Sequence, residues 1–342
     1  MTQRVTPVLV FLVAVTILAE LSDKAQVFDV AATRAARIAR GRTPALFAVV
    51  VLLATLTTVV LSLDTTAVLV TPVVLAMAQR LDLNPVPFAL AAVWLANTAS
   101  LLLPVSNLTN LLAVDRLGLT ATQYTAKVAV ASIVAVVVTA VFLAVWQRTS
   151  LKGRYEVPDP TPPEDKVLFL GASAGCVLLV PALLLGVPVA WAPSASAVVI
   201  SGFALWRRRS LLTFALIPWR LVLLVEGLFL VVEAVGPHGL DDLLRHGLGS
   251  PLQTAFVAAG GANVVNNLPA YLAVERVVPH DQLLALLVGV NLGPLVLPWG
   301  SLATLLWAER CRARGVQVGW LRFGLAGLAL VPLLLVTTVP LL

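Results

Sequence analysis

The sequence predicts an all-α polytopic membrane protein organised as an inverted repeat, with two re-entrant hairpins and two unwound transmembrane helices. Three observations predict it. The first is composition: of 342 residues 59% are apolar and 12% charged, with a mean hydropathy of +0.97, far from a soluble domain. The second is the recurrence of apolar stretches of about 20 residues, the length that crosses roughly 30 Å of hydrocarbon. The third is a motif written twice, LANTASLLLPVSNLTNLL and VGVNLGPLVLPWGSLATLL. With Asn97 laid on Asn291 and Pro104 on Pro298, seven of the sixteen positions 97–112 are identical. Paired interruptions at matching places in two halves mark the substrate site of a transporter.

The elements follow in order. Span 7–26 begins after Arg4 like a signal peptide, but Glu20, Asp23 and Lys24 follow and no small-residue cleavage site does, so it reads as a retained helix. VFDVAATRAARIARGR spaces small apolar residues and Arg at helical period, which suits a helix lying on the cytoplasmic interface. Stretches 44–79 and 251–278 break midway at polar residues and read as hairpins that enter and leave on one side. Further spans are expected at 88–114, 125–147, 167–186, 189–206, 211–235, 282–308 and 320–341. Segment 148–166, with YEVPDPTPPEDK, is a Pro-rich linker.

Charge orients this scheme. If the first hairpin opens to the cytoplasm, sixteen Arg and Lys fall in cytoplasmic segments and five on the opposite side, as the positive-inside rule requires. The chain is then a multi-pass protein of the cytoplasmic membrane with both termini outside. Five crossings separate the hairpins, and an odd number inverts the second copy. A transport unit of 44–119 (hairpin 44–79, broken helix 88–114) and 251–312 (hairpin 251–278, broken helix 282–308) would sit on a scaffold of 1–43, 120–250 and 313–342.

Irregular backbone at membrane depth survives only when packed in protein or lining a wet cavity. Pro104 and Pro298 each remove a helix donor, and uncharged polar residues follow: Ser106, Asn107, Thr109 and Asn110 in one copy, Gly300, Ser301 and Thr304 in the other. A Pro kink repaired by Ser and Thr is the plain alternative. The hairpin bends add Ser62, Asp64, Thr65 and Thr66, and Asn263, Asn266 and Asn267, with Pro72 aligned on Pro269. The expected substrate set is therefore Ser106, Asn107, Thr109, Asn110, Asn263, Asn266, Asn267, Asn291, Ser301 and Thr304. Asp64 is the acid of the two bends. An acid at the bilayer centre costs about 3 kcal/mol or more, so Asp64, with Thr65 and Thr66, is expected to carry a proton or a cation unless it merely caps the arm beginning at Thr65. Glu226, seven residues before Glu233 on one helix face, is the second candidate. Glu20 and Lys24 are spaced as an ordinary ion pair. Trp146, Trp191, Trp206, Trp219 and Trp320 read as interfacial anchors, and Trp299 as either cavity wall or simple packing.

Other classes find little support. The net charge of +6 lies in short loops between apolar runs, which is a topology signal and not a nucleic-acid surface. Cys176 and Cys311 stand far apart and define neither a disulfide framework nor a metal site. An intramembrane enzyme needs a nucleophile with a base, or a metal cluster, yet His238, His246 and His280 all fall in outer loops. No cofactor is expected.

LDTTAVLVTPVVLAMA, LLLPVSNLTNLLAVDRLGL, ANVVNNLPAYLA and NLGPLVLPWGSLATLLW, in that order, resemble the arsenite permease and sodium/proton antiporter family (ArsB/NhaD) of the ion transporter superfamily, relatives of the divalent anion/sodium symporters. The resemblance runs loosely from about residue 10 to the end. It implies a scaffold and a transport domain of two opposed hairpins and two unwound helices. In the symporters the bends carry Ser-Asn-Thr; here Ser62, Leu63 and Asp64 occupy the first, and Ala259, Gly260 and Gly261 the second, which argues against a dicarboxylate. Arsenite permeases imply neutral As(OH)3 or Sb(OH)3 as cargo, exported in exchange for protons, and amides and hydroxyls suit a neutral trihydroxide. The rival is a sodium/proton antiporter in which Asp64 and nearby carbonyls hold the cation; an organic anion carrier ranks below both. The resemblance also allows a homodimer, and a soluble ATPase partner docking on the Arg-rich loops 207–209 and 310–314. The chain looks short at its beginning by a pair of helices, which leaves the scaffold, and any dimer contact through it, open.

Overall fold

The computed structural model describes residues 2–160, 162–185, 187, 191–217 and 248–342, with scattered positions between 219 and 234. Among them the chain is helical, with an isolated bridge between Arg42 and Arg154. Helices α1 (Thr2–Lys24), α2 (Val27–Ile38) and α3 (Thr43–Val60) are followed by a bend, then by α4 (Leu63–Thr65), a π-helical turn at Thr66–Val70 and α5 (Thr71–Arg80). Next come α6 (Val86–Thr98), α7 (Leu108–Leu117), α8 (Ala121–Trp146), α9 (Lys166–Leu184) and α10 (Trp191–Arg207). The last group is α11 (Pro251–Val265), α12 (Asn267–Glu275), α13 (Leu283–Leu292), α14 (Leu302–Ala313) and α15 (Trp320–Thr338). Among the described residues three stretches, α3, α8 and Trp320–Leu341, are long and apolar enough to cross a membrane.

The interruptions have local causes. Pro72 has no N–H to give the carbonyl one turn back, and the turn before it widens, with the Thr71 N–H reaching the Thr66 carbonyl. Gly118 ends α7 at φ 63°, the left-handed position that glycine occupies without strain. Thr120 and Gln123 then open α8 with a reciprocal capping box.

The two copies pack alike. Helix α6, buried from Pro87 to Thr98, lies on α3, α5 and α8; α13 lies on α11, α12 and α15. Gly289 and Gly293 bring α13 onto α11: a Cβ at Gly293 would stand 2.5 Å from Ala259 Cα, and one at Gly289 would strike the Ala255 carbonyl. This is the small-residue packing that lets membrane helices approach backbone to backbone.

Several sequence expectations change. The stretch opening the expected span 211–235 is not helical through 217 but holds short 3-10 turns at Arg209–Leu211 and Phe214–Leu216. Ile217 is extended at ψ 120° because a residue before proline avoids the helical region. Glu226, Glu233, His238 and His246 lie outside the described residues. Lys24 donates to the Leu211 carbonyl at 3.1 Å rather than pairing with Glu20. Trp146 is stacked on Trp94 at 5.6 Å, and Trp320 packs edge-on against Trp307 and Phe323, so both belong to an aromatic cluster. Trp191 and Trp206 are exposed, and so is Trp299, which neither packs in the core nor is enclosed.

The linker is a strap. Tyr155 N–H donates to the Gly41 carbonyl and Thr43 N–H to the Gly153 carbonyl. Tyr155 Oη donates to the Ala36 carbonyl at 2.6 Å, and Arg37 to that of Pro158 at 2.9 Å. Its far end is fixed by Arg207–Asp165 and Arg208–Glu164 ion pairs.

Candidate functional site

Four helices restart after a break, and each restarts from a polar residue that accepts a backbone N–H of its first turn. Ser62 Oγ accepts from Thr65, Asn107 Oδ1 from Thr109, Asn266 Oδ1 from Leu268 and Ser301 Oγ from Thr304. These are N-caps, a role that Ser and Asn fill best. Ser62 and Asn266 thus hold equivalent places, each capping the helix that follows its break. The second bend lies at Asn266, not at 259–261, which sit inside α11. Pro269 consequently stands in the first turn of α12, where its missing N–H costs nothing, whereas Pro72 stands deep in its arm.

Within each copy the first helix break is tied to the second. Ser106 Oγ donates to the Val59 carbonyl at 2.9 Å. In the second copy Asn267 N–H donates to the Gly300 carbonyl, Asn266 Nδ2 to Trp299 at 3.0 Å, and Asn263 Nδ2 to Gly293 at 2.8 Å while its Oδ1 accepts from Leu297 N.

Between the copies runs a buried amide network. Asn110 Nδ2 donates to the carbonyls of Ser100 and Leu103, which turns its Oδ1 toward Asn291. Asn291 Nδ2 donates to that oxygen at 2.7 Å. Asn291 Oδ1 is left to accept from Asn107 Nδ2 at 2.9 Å and Thr109 Oγ1 at 2.8 Å. All four side chains are buried, and each orientation dictates the next. The copies also cross: α14, carrying Ser301 and Thr304, lies along Leu63–Val70, and α7 lies on α12 and α13.

The acid side is different. Thr66 Oγ1 shares a 2.8 Å hydrogen bond with Thr58 Oγ1 and reaches the Ser62 carbonyl, and Thr65 Oγ1 accepts from Ser62 Oγ. Asp64 Oδ1 is buried with no hydrogen-bond partner, and so is Asn97 Oδ1. Asn97 is the counterpart of Asn291 in the repeat, yet its amide turns back to the Val93 carbonyl. Sequence reasoning missed Ser100, whose hydroxyl and carbonyl both serve the network, and Thr58. Ser100 stands within the repeated motif itself, opposite Pro294, so the motif's identities alone could not mark it. Among the described residues no group of three His, Cys, Asp or Glu gathers, and Cys176 and Cys311 are free thiols.

Known proteins resemble this chain along nearly its whole length. The family model for citrate transporters (CitMHS) matches residues 4–282. An arsenical pump membrane protein of Escherichia coli is 29% identical over 359 residues, covering 95% of this chain and 83% of the relative. The arsenical pump membrane protein of Yersinia enterocolitica is 29% identical over 362 residues, with the same coverage of each.

Proposed function

The chain belongs to the citrate transporter family of membrane proteins, and we propose that it is a secondary active carrier that exports arsenite and antimonite across the cytoplasmic membrane in exchange for protons. The observation that carries this reading is the direct bonding of Asn107, Thr109 and Asn110 to Asn291, which joins the breaks of the two copies. Opposed copies of a hairpin and a broken helix meeting at the bilayer midplane are the arrangement alternating access uses. The capped helix starts at Ser62, Asn107, Asn266 and Ser301 carry N–H groups and partial positive charge, which suits the oxygens of a neutral trihydroxide without demanding a charged partner. The named cargo of the arsenical pump relatives, similar over 95% of the chain, supports the metalloid over the citrate of the family's title.

In this reading Ser106, Asn107, Thr109, Asn110 and Asn291 form the floor of the site, the last four bonded to one another and Ser106 to the Val59 carbonyl. Asn263, Asn266, Asn267, Ser301 and Thr304 line it from the second copy. Asp64 exchanges the proton, with Thr65 and Thr66 fixing its turn. Arg207 and Arg208, in one of the two basic loops expected to receive a soluble ATPase, are paired with the chain's own Asp165 and Glu164.

One observation favours a second reading. The unpartnered oxygens of Asp64 and Asn97 are the acceptors a sodium ion would seek, as in a sodium/proton antiporter. Everted vesicles separate the two. Arsenite is expected to dissipate a preformed proton gradient and sodium is not, and Asp64→Asn is expected to abolish the exchange while the protein still accumulates. A sodium response without an arsenite response selects the antiporter, and undiminished exchange by Asp64→Asn removes Asp64 from the mechanism.

A further inference from the structure

A cleft of about 220 Å3 opens between α2 and α5, beneath Pro158 of the strap. Gln26, Asp29 and Thr33 line it from α2 and the turn before it, and Met77 and Arg80 from α5. Its volume is below the roughly 300 Å3 at which drug-sized sites begin, and it suits a small polar head whose tail remains outside. Asp29 and Arg80 are both exposed at its mouth and form no ion pair with each other. Burial raises the Asp29 carboxyl above its ordinary range, with the charge of Arg314 drawing it back.

We propose that this cleft binds the headgroup of phosphatidylethanolamine from the cytoplasmic leaflet. The Arg80 guanidinium takes the phosphate, for which its planar fork is suited. The Asp29 carboxylate accepts hydrogen bonds from the primary ammonium, a group with three donors. Val73, Ala76 and Leu81 supply an apolar wall for the acyl chain. Choline offers no N–H to Asp29, and a headgroup with only negative charge would set that charge against the carboxylate. Charge complementarity of both signs beside an apolar wall therefore selects the zwitterion with a primary amine. The exposed Arg34 and Arg37 on the same helix place α2 where cytoplasmic headgroups lie. The site joins α2 to α5, so bound lipid braces the first hairpin, and its binding does not rest on which solute is carried.

Native mass spectrometry of the full-length protein in detergent tests this, with phosphatidylethanolamine, phosphatidylcholine and phosphatidylglycerol of the same acyl chains. The ethanolamine lipid is expected to form adducts at a concentration at least fivefold lower than the other two. Arg80→Gln should reduce its adducts by a similar factor, and Asp29→Asn should erase its advantage over the choline lipid. Both positions are exposed, and unchanged melting temperatures verify folding. Equal adducts for the three lipids, preference for phosphatidylglycerol, or a preference that survives both substitutions overturns the proposal. Displacement by an equal concentration of O-phosphoethanolamine would make the ligand a free solute and overturns it as well.

Discussion

At the scale of single residues the amide network is the part most exposed to disruption. Asn291 satisfies Asn107, Thr109 and Asn110 at once. Asn291→Ala leaves buried donors and an acceptor without partners, at about 1–3 kcal/mol for each group, so a loss of about 3 kcal/mol or more is expected. Thermal unfolding in detergent measures it. Asn291→Asp keeps the acceptor for Asn107 and Thr109 but turns an oxygen on Asn110 Oδ1, whose own amide cannot flip without abandoning Ser100 and Leu103. It is expected to fall with Asn291→Ala rather than with the parent. If Asn291→Ala unfolds at the parent temperature, the network is not what joins the copies.

At the scale of elements the outcome depends on glycines, caps and the strap. Gly293→Val should separate α13 from α11, because a Cβ already meets Ala259 Cα at 2.5 Å. Overpacking of this kind costs about 1–3 kcal/mol, while Gly260→Ala, with open space around its Cβ position, should be neutral; the two melting curves compare them directly. Asp165 gives a pH signature. The N–H of Leu168, Arg207 and the N–H of Val167 hold its carboxyl below the ordinary range. A depressed folded value means that its contribution is present above the unfolded value and is lost as pH falls through the folded one. Limited proteolysis of the strap should therefore rise as pH drops below the ordinary carboxylate range, and Asp165→Ala should be cut readily at neutral pH.

These elements also show what the sequence made legible. The four helix interruptions and α2 are readable in the sequence, because Pro, polar bends and Arg spacing act locally on the backbone. The equivalence of the two bends is not. The sequence puts Asn263, Asn266 and Asn267 at the second bend, and the break lies at Asn266; aligning Pro72 on Pro269 nevertheless sets Ser62–Asp64 against 259–261, because Pro72 works by widening a turn within its arm and Pro269 by starting one. The buried amide network is legible as residue types and not as bonds. Asn97 and Asn291 are identical in the repeat, but only packing decides that one turns to its own helix and the other to the opposite copy. The stacking of Trp146 on Trp94 is likewise not legible, because span ends and aromatic clusters use the same residue.

For the whole molecule the strongest support for the proposed sidedness is that contacts between distant loops respect it. Thr43 meets Gly153, and Gln79 Nε2 donates to the Arg314 carbonyl; all four belong to segments assigned to the cytoplasm by charge. Gln282 meets Gly249 and Thr254, all on the assigned outer side. A crossing chain cannot satisfy such bonds through about 30 Å of hydrocarbon, so the pairs must be on common faces whichever face each is. The remaining question is whether the two hairpins open to opposite faces, and single cysteines at their ends decide it. In a protein with Cys176 and Cys311 replaced by Ser, Arg42→Cys and Arg80→Cys should react with an impermeant thiol reagent only in everted vesicles, and Ser250→Cys and Val278→Cys only in intact cells. Labelling of all four from one side would make the repeat parallel. Reaction of Arg42→Cys and Arg80→Cys from opposite sides would make α3, which is long enough to cross, a full span, and Asp64 would then lie near the far surface instead of at the depth where an unpartnered carboxylate needs a proton or a cation.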